Sequence, residues 1–245
     1  MCTVTWLRAD DSYQVFCNRD EKLSRRPSAS PRHGTRCGVG FVAPIDGDFG
    51  GTWIATNEFG VTLCLLNGAN LSGIDATERK DSHRSRGLLI PALVGARSVD
   101  DGALNATTRD LSQFAPFTLV VLERARLPAI VEWNGQQTLV EFDGDAYLPL
   151  ASSSVNGETA RKKRQQEYHR LVGRGVQPTV ASLLEFHRSH GLGPGPYSTC
   201  MHRDDAETVS FTHVRVTASQ ATMFHSRLAP CRQVPGTTAK LNLCE

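Results

Sequence analysis

Short β-prone segments joined by tight turns fill most of this chain, and they constrain its fold more than any other feature. Turn-forming residues at 9–12, 57–60 and 134–135 separate segments rich in Val, Leu, Thr and aromatic residues, so each turn is predicted to close a hairpin. Strands of this kind must bury an apolar face against another layer of structure. The number of such segments predicts two layers of sheet.

Three helices are predicted between the strands. The first covers residues 84–96, opened by Ser82 and interrupted at Pro91, and the others cover 158–172 and 179–190. Helices that lie between runs of strands indicate the α+β class.

The chain of 245 residues could form one large domain or two small ones. It contains no internal repeat, low-complexity block or convincing linker, so we predict a single domain over residues 1–230. The strand and helix patterns are lost after Pro230, and residues 231–245 are predicted to form a tail.

Charge and cysteine content disfavour several classes of protein. With 27 Lys plus Arg against 25 Asp plus Glu, the net charge is +2, too low for a surface built to bind nucleic acid. Seven cysteines without a Cys-x-x-Cys pair indicate neither a disulfide framework nor a zinc ribbon, and we expect no metal and no cofactor. No apolar run reaches the ~18 residues of a membrane span. Because no leader pattern opens the chain either, a cytoplasmic protein is expected.

The first hairpin is predicted to place Cys2 beside a polar cluster. If its turn is centred on the Asp-Asp pair, opposed positions sum to 21, so Cys2 lies opposite Arg19, with Asn18 and Asp20 on either side. A slip of one residue would reverse the two faces of the strand.

Cys2 could combine a nucleophile and a base in one residue. Removal of Met1 by methionine aminopeptidase would free an α-amine, which titrates near ~7.7 to 8.0, beside a thiol of ordinary pKa ~8.5. At neutral pH a useful fraction of that amine can accept the thiol proton. The alternative is that Cys2 is a small buried hydrophobic residue, as most isolated cysteines are.

Three further residues could complete a site for acyl transfer. Arg19 would favour the thiolate, and Asp20 could accept a hydrogen bond from the terminal ammonium group. Asn67, at the end of an apolar strand, could donate to a developing oxyanion. The alternatives are a solvated turn for Arg19 and Asp20, and a strand-ending turn for Asn67. The Gly-Gly pair at 50–51 would allow close approach of another backbone segment, or a loop bend.

Together these segments resemble the NRDE family, also called the transport and Golgi organisation protein 2 family. The resemblance rests on the N-terminal Met-Cys, Asn-Arg-Asp-Glu at 18–21, Gly-Gly-Thr-Trp at 50–53, Asn-Glu-Phe-Gly at 57–60 and Ser-Arg-Gly at 85–87. It extends over about residues 2–217. The resemblance implies the four-layer αββα sandwich of N-terminal nucleophile hydrolases.

More distantly, the pattern resembles choloylglycine hydrolases and isopenicillin N acyltransferases, which cleave or transfer amide-linked acyl groups with an N-terminal cysteine. This resemblance implies Cys2 as the nucleophile, Asp20 beside the amine and Asn67 as the oxyanion donor. Cys17 stands where those hydrolases have an arginine, so Arg19 would act from a shifted position.

The same resemblances imply residues that contact the substrate. A serine stretch at 152–154 stands where those hydrolases have an Asn-Ser pair, and Ser153 and Asn156 are the candidates there. Arg161 matches an arginine of the NRDE family, and Asn18 opens the Asn-Arg-Asp-Glu string. These four side chains are therefore expected at the substrate.

Two other groups of residues have structural interpretations that require no functional site. The basic run at 161–164 is typical of a solvated helix face. Cys200 and His202 would share one face of a strand while Met201 points to the other, which favours core packing over metal or haem ligation.

Two functions fit these observations. The first is an N-terminal nucleophile amidohydrolase or acyltransferase that acts on a small-molecule linear amide, such as an N-acyl amino compound, with Cys2 as nucleophile. The second is a binding or trafficking protein that keeps the fold without turnover, with haem as a candidate ligand. The sequence indicates no particular oligomeric state.

Overall fold

The computed structural model describes residues 2–68, 84–191 and 193–244. Along this part of the chain the strands are β1 (Cys2–Ala9), β2 (Ser12–Lys22), β3 (Ala29–Arg36), β4 (Val39–Ile45), β5 (Ile54–Asn57), β6 (Thr62–Asn67), β7 (Phe117–Leu122), β8 (Ala129–Trp133), β9 (Thr138–Glu141), β10 (Leu150–Ser152), β11 (Ala206–Val216), β12 (Gln220–Ser226) and β13 (Thr237–Asn242). They form two antiparallel sheets. The first has the order β10-β1-β2-β11-β12-β13, and the second follows the chain from β3 to β9.

Helices cover the outer face of each sheet. Within the described residues they are α1 (Leu89–Leu93), α2 (Val99–Thr107), α3 (Gly157–Val172) and α4 (Val180–Arg188). The apolar sides of α1 and α2 share a core with the second sheet, while α3 and α4 share a core with the first. A third core lies between the two sheets. The predicted four-layer αββα sandwich is confirmed. None of these helices is long and apolar enough to cross a membrane.

Strand β1 shows how the layers are divided. Cys2, Val4 and Trp6 are buried in the core between the sheets, whereas Thr3 and Thr5 face the helices. Side chains alternate because successive residues of a strand point to opposite faces. The predicted register is confirmed, since Cys2 is directly opposite Arg19 on β2.

The helix predicted over 84–96 is divided in the structure. A 3₁₀ turn, Arg86–Leu88, precedes α1, and Pro91 lies in the first turn of α1 instead of interrupting a longer helix. Proline is tolerated there because the first N–H groups of a helix have no partner within it. The predicted opening residue, Ser82, lies outside the described residues.

Several elements were not predicted. Helix α2 contains Gly102, a poor helix former, whose missing Cβ lets the helix lie against Val121. Strand β3 is polar and mostly exposed, so it lacks the apolar alternation of a buried strand. The segment predicted as a tail, 231–245, supplies strand β13, which pairs with β12 at the edge of the first sheet. Its alternation is weak because an edge strand is largely solvated.

Buried His187 joins α4 to the first sheet. Its Nε2 lies 2.8 Å from Thr5 Oγ1, and its Nδ1 lies 3.0 Å from Asn18 Oδ1. The amide nitrogen of Asn18 donates to the carbonyl oxygens of His187 and Thr199, both at 2.9 Å. Since Oδ1 of Asn18 can only accept, His187 is the neutral tautomer with its proton on Nδ1. Burial lowers the pKa of His187 to about 3.

We expect the stability of the protein to fall as the pH is lowered from 7 to 5. Burial also lowers the pKa values of His213 and His225, each to about 4, so three histidines bind fewer protons in the folded state than in the unfolded one. The stability that these histidines contribute is therefore fully present above their unfolded pKa of ~6.5. Below that pH, the free energy of unfolding falls by about 1.4 kcal/mol per pH unit for each histidine. Urea unfolding at pH 7.5, 6 and 5 measures this slope.

The exposed residue His33 provides a matched control for this prediction. We expect His187→Gln to reduce the slope of unfolding free energy against pH by the contribution of about one proton, which is about 1.4 kcal/mol per pH unit. His33→Gln should leave that slope unchanged. An unfolding free energy that stays constant from pH 7 to 5 would contradict the assignment of His187, His213 and His225 as neutral in the folded state.

Candidate active site

An open cavity of about 220 Å³ lies beside Cys2, between the ends of the two sheets. Strand β1 contributes Cys2, β2 contributes Arg19 and Asp20, and β6 contributes Asn67, its last residue. The structure thus brings all four predicted catalytic residues to one cavity. The other lining residues are Glu21, Arg25, Asp46, Phe49, Thr52, Trp53, Leu65, Leu66, Arg84, Ser85, Arg86, Gly87 and Ala115.

A close contact between two glycines forms one wall of the cavity. A Cβ atom on Gly51 would lie 2.5 Å from the carbonyl carbon of Gly87, closer than any real side chain allows. The Thr52 N–H donates to the Gly87 carbonyl at 3.0 Å. The close approach predicted at 50–51 therefore occurs, and it places Arg84 and Arg86 at the cavity.

The backbone of Cys2 is held by strands on both sides. Cys2 pairs with Arg19 of β2 and with Ser152 of β10. Its N–H donates to Ser152 Oγ over 3.2 Å. Ser152 was not among the predicted site residues, because a contact across 150 positions leaves no local pattern in the sequence. This hydroxyl contacts the nitrogen that would become the α-amine.

The thiol of Cys2 is almost fully buried, with 5% of the residue exposed. A hydrogen bond with Cys17 raises the pKa of Cys2 well above its ordinary value, and burial and the negative charge of Asp20 act in the same direction. Cys17 Sγ lies 4.0 Å from Cys64 Sγ, so three thiols form a small cluster between the sheets. The resting state of Cys2 is therefore the neutral thiol, which needs a base before it can act as a nucleophile.

Arg19 is held by acidic neighbours. Its Nη2 lies 2.5 Å from Asp46 Oδ2 and 3.5 Å from Glu21 Oε2. The guanidinium also lies over the ring of Trp53, 4.6 Å from the ring centroid. Arg19 thus shares the face of Cys2, as predicted, and it is fixed in place by an ion pair and by a cation–π contact.

Asp20 is completely buried and makes two side-chain contacts, one to helix α3 and one to the neighbouring strand β11 of its own sheet. Its Oδ2 lies 3.2 Å from Arg164 Nη2, and its Oδ1 accepts from Thr208 Oγ1 at 2.6 Å. Arg164 also donates to Thr3 Oγ1 at 2.6 Å. The carboxylate of Asp20 is therefore held by α3 and by β11.

Arg164 was predicted as part of a solvated face and is instead fully buried. It lies on the inner stripe of α3 with Ala160, Tyr168 and Val172, at intervals of four residues. That spacing was visible in the sequence and is the pattern by which Arg164 could have been found. An arginine on an apolar stripe requires a buried acidic partner, and Asp20 is that partner.

The four residues expected at the substrate lie elsewhere. Asn18 is buried against α4, where its side chain is used by the His187 network. Ser153 bonds to the backbone of residue 155, and Asn156 is exposed as the N-cap of α3. Arg161 lines a separate cavity between α3 and β10. None of these four residues lines the cavity at Cys2. The side chain of Asn18 points toward the helices, and the other three residues lie in α3 or just before it.

Comparison with solved structures shows which fold this is. Penicillin V acylase from Agrobacterium tumefaciens matches with a TM-score of 0.53 and 11% identity, over 99% of this chain and 86% of that chain. A mutant of the conjugated bile acid hydrolase from Clostridium perfringens matches with a TM-score of 0.54 and 11% identity, over 99% of this chain and 92% of that chain. The N-acylethanolamine-hydrolyzing acid amidase ortholog from Caenorhabditis elegans matches with a TM-score of 0.51 and 11% identity, over 87% of this chain and 92% of that chain. The fold is that of the N-terminal nucleophile hydrolases.

The sequence itself identifies the family. The family model for Transport and Golgi organisation 2 matches residues 1–189, which is more than half of the chain. The protein therefore belongs to the Transport and Golgi organisation 2 family, which is the NRDE family. A comparison with curated proteins finds no significant match.

Proposed function

We propose that this protein is an N-terminal nucleophile amidohydrolase that cleaves a small N-acyl amino acid, with Cys2 as its nucleophile. The observation that carries the proposal is the position of Cys2, at the start of β1 and at a cavity shared with Asp20 and Asn67. The fold supports it, since the similar structures include an acylase, a hydrolase and an amidase. At 11% identity these similarities concern the fold and leave the substrate to be argued from the cavity.

The reaction begins when Met1 has been removed and Cys2 carries a free amine. The amine accepts the thiol proton, and Sγ attacks the amide carbon to form a tetrahedral intermediate with a negative oxygen. The side-chain amide of Asn67 donates to that oxygen. The ammonium group of Cys2 then protonates the leaving nitrogen, the C–N bond breaks, and a thioester remains. Water then attacks the thioester carbon while the amine takes a proton from the water. The C–S bond breaks, the acid is released, and the ammonium group returns the proton to the departing sulfur, which restores the thiol and the free amine.

One hydrogen bond and one nearby charge act on the amine in this scheme. The nitrogen of Cys2 lies 3.2 Å from Ser152 Oγ, which accepts a hydrogen bond from it and so fixes its direction. Asp20 lines the cavity and supplies a negative charge that favours the ammonium form generated in each step. Because Arg164 and Thr208 hold this carboxylate, its position does not depend on the substrate.

The cavity indicates the class of substrate. Its volume of about 220 Å³ is below the ~300–1,000 Å³ of ordinary ligand pockets, so a short acyl chain fits better than a long one. Arg84 and Arg86 stand on one wall, and Arg84 donates to the neutral side-chain oxygen of Gln113 at 2.8 Å. A positive wall suits the carboxylate of an amino acid product. We therefore propose N-acyl amino acids over neutral N-acyl amines.

One observation favours a second function, a binding protein that keeps the fold without turnover. The pKa of Cys2 is raised by its contact with Cys17 and by burial, which stabilises the unreactive thiol. A protein of this kind would hold a ligand without cleaving it, haem being one candidate. The same assay distinguishes the two functions.

Hydrolysis of matched substrate pairs tests the proposal. Each pair is a short N-acyl amino acid and the N-acyl amine that lacks its carboxylate, with released amine measured by mass spectrometry after intact mass has shown the loss of Met1. We expect the acid of each pair to be preferred at least about 10-fold in kcat/KM, and Arg84→Gln to reduce that preference. Processed protein that releases no amine from any pair, but shifts the haem Soret band saturably, would support the binding function instead.

A further inference from the structure

Four side chains near the C-terminal end of α4 form a cluster that the proposed function does not use. His190, Cys200, His202 and Cys231 bring one ligand atom each within 4.8 Å of one another. All four lie beyond residues 1–189, the part that matches the family model. We propose that this cluster is a structural Zn²⁺ site.

The distances in the cluster match tetrahedral zinc. Cys200 Sγ and Cys231 Sγ lie 3.6 and 3.4 Å from His202 Nε2. A tetrahedral ion with Zn–S of about 2.3 Å and Zn–N of about 2.0 Å places sulfur and nitrogen ligands about 3.5 Å apart. Two thiolates and two imidazoles are one of the common ligand sets of structural zinc. The side chains therefore need only small movements to bind the ion.

Two hydrogen-bonding features also indicate a cation at this position. Among the described residues, the buried Nε2 atom of His190 has no hydrogen-bond partner, and a metal ion would satisfy it. On the other side, Nδ1 of His202 lies 3.3 Å from Glu207 Oε2. A carboxylate on the far nitrogen is the usual device that directs a histidine toward zinc. Arg232 holds this carboxylate at 3.0 Å.

The local backbone explains why the four residues meet. Cys200 and His202 both direct their side chains at this cluster, since Cys200 Sγ lies 3.6 Å from His202 Nε2. The predicted core packing is observed for Cys200 and Met201, which are both fully buried, and not for His202, which is partly exposed. His190 follows the end of α4, and Cys231 lies in the 3₁₀ turn Pro230–Arg232. Three segments distant in sequence thus converge on one point.

Four protein ligands leave no open coordination position, so the ion is structural. It would tie the end of α4 and the turn at 230–232 to the segment that carries Met201. That segment exchanges two hydrogen bonds of 2.8 Å with Thr208, whose hydroxyl also donates to Asp20 at 2.6 Å. The zinc site would therefore stabilise the segment that holds Thr208 against the carboxylate of Asp20.

Metal analysis of the full-length protein tests this proposal without an activity assay. Protein purified in zinc-supplemented, chelator-free buffer is expected to hold about one Zn²⁺ per chain, and Co²⁺ in its place should give the absorption of tetrahedral cobalt with sulfur ligands. The Cys200→Ser, Cys231→Ser double variant should retain less than about a tenth of the metal. Replacing the exposed Cys37 and Cys244 by serine provides the matched control, with full metal content.

A measurement on the wild-type protein covers the case in which the double variant does not fold. Zinc should protect Cys231, the partly exposed thiol of the cluster, from alkylation at least about 10-fold, and removal of zinc by a chelator should lower the Tm by about 5 °C or more. Protein that binds neither Zn²⁺ nor Co²⁺, or alkylation of Cys231 that zinc does not slow, would overturn the proposal. Metal lost from Cys17→Ala and kept by the double variant would also overturn it, because the ion would then sit at the thiols between the sheets.

Discussion

Replacement of Cys2 by alanine is expected to reduce kcat for hydrolysis of the best N-acyl amino acid by about 10³-fold or more. Alanine keeps the amine, the strand pairing and nearly the same volume, and removes only the sulfur. The thioester then cannot form, and water would have to attack the amide directly. The measurement is single-turnover kinetics, together with intact mass to detect the acyl-enzyme in the wild-type protein.

The matched control is Cys37→Ala, which removes an exposed thiol far from the cavity and should leave kcat unchanged. A second variant, Cys17→Ala, removes the hydrogen bond that does most to raise the pKa of Cys2. Alkylation of Cys2 at pH 7 should then become faster. Full hydrolysis by Cys2→Ala would show that the sulfur is not the nucleophile and would refute the proposed function.

The part of this site that could be predicted from sequence is the part formed by local contacts. Cys2 and Arg19 meet across one hairpin, and the turn between their strands fixes the register. Gly51 was identified because a glycine pair before a strand indicates close backbone approach. The two-sheet architecture followed from turns and alternation for the same reason. Each of these inferences needs only residues close in sequence.

The contacts that complete the site join distant parts of the chain. Ser152 reaches Cys2 across 150 positions, and Arg164 reaches Asp20 across 144. Such contacts depend on how the layers stack, and no turn or spacing rule determines that. The two arginines of α3 illustrate this: the resemblance implied Arg161 at the substrate, and Arg161 lines a separate cavity, whereas Arg164, three residues later, is the one that contacts Asp20.

The Asp20–Arg164 pair also gives the largest expected effect on stability. We expect Arg164→Met to lower the free energy of unfolding by about 3–5 kcal/mol, because it leaves the Asp20 carboxylate buried without its cation. Both side chains are fully buried, so neither is screened by solvent. Methionine retains most of the volume and the apolar contacts of α3. Urea unfolding at pH 7 measures the change.

Two further variants separate the buried charge from the packing. Asp20→Asn combined with Arg164→Met removes both charges and should recover much of the loss, since no buried charge is then left without its partner. Lys162→Met, on the same helix, removes an exposed partner of Glu158 and should change stability little. If Arg164→Met and the double variant are equally destabilised, packing is responsible and the ion pair is not. Recovery in the double variant would instead show that the unpaired charge of Asp20 causes the loss of stability. The negative charge near Cys2 would then be maintained at a cost to stability that Arg164 offsets.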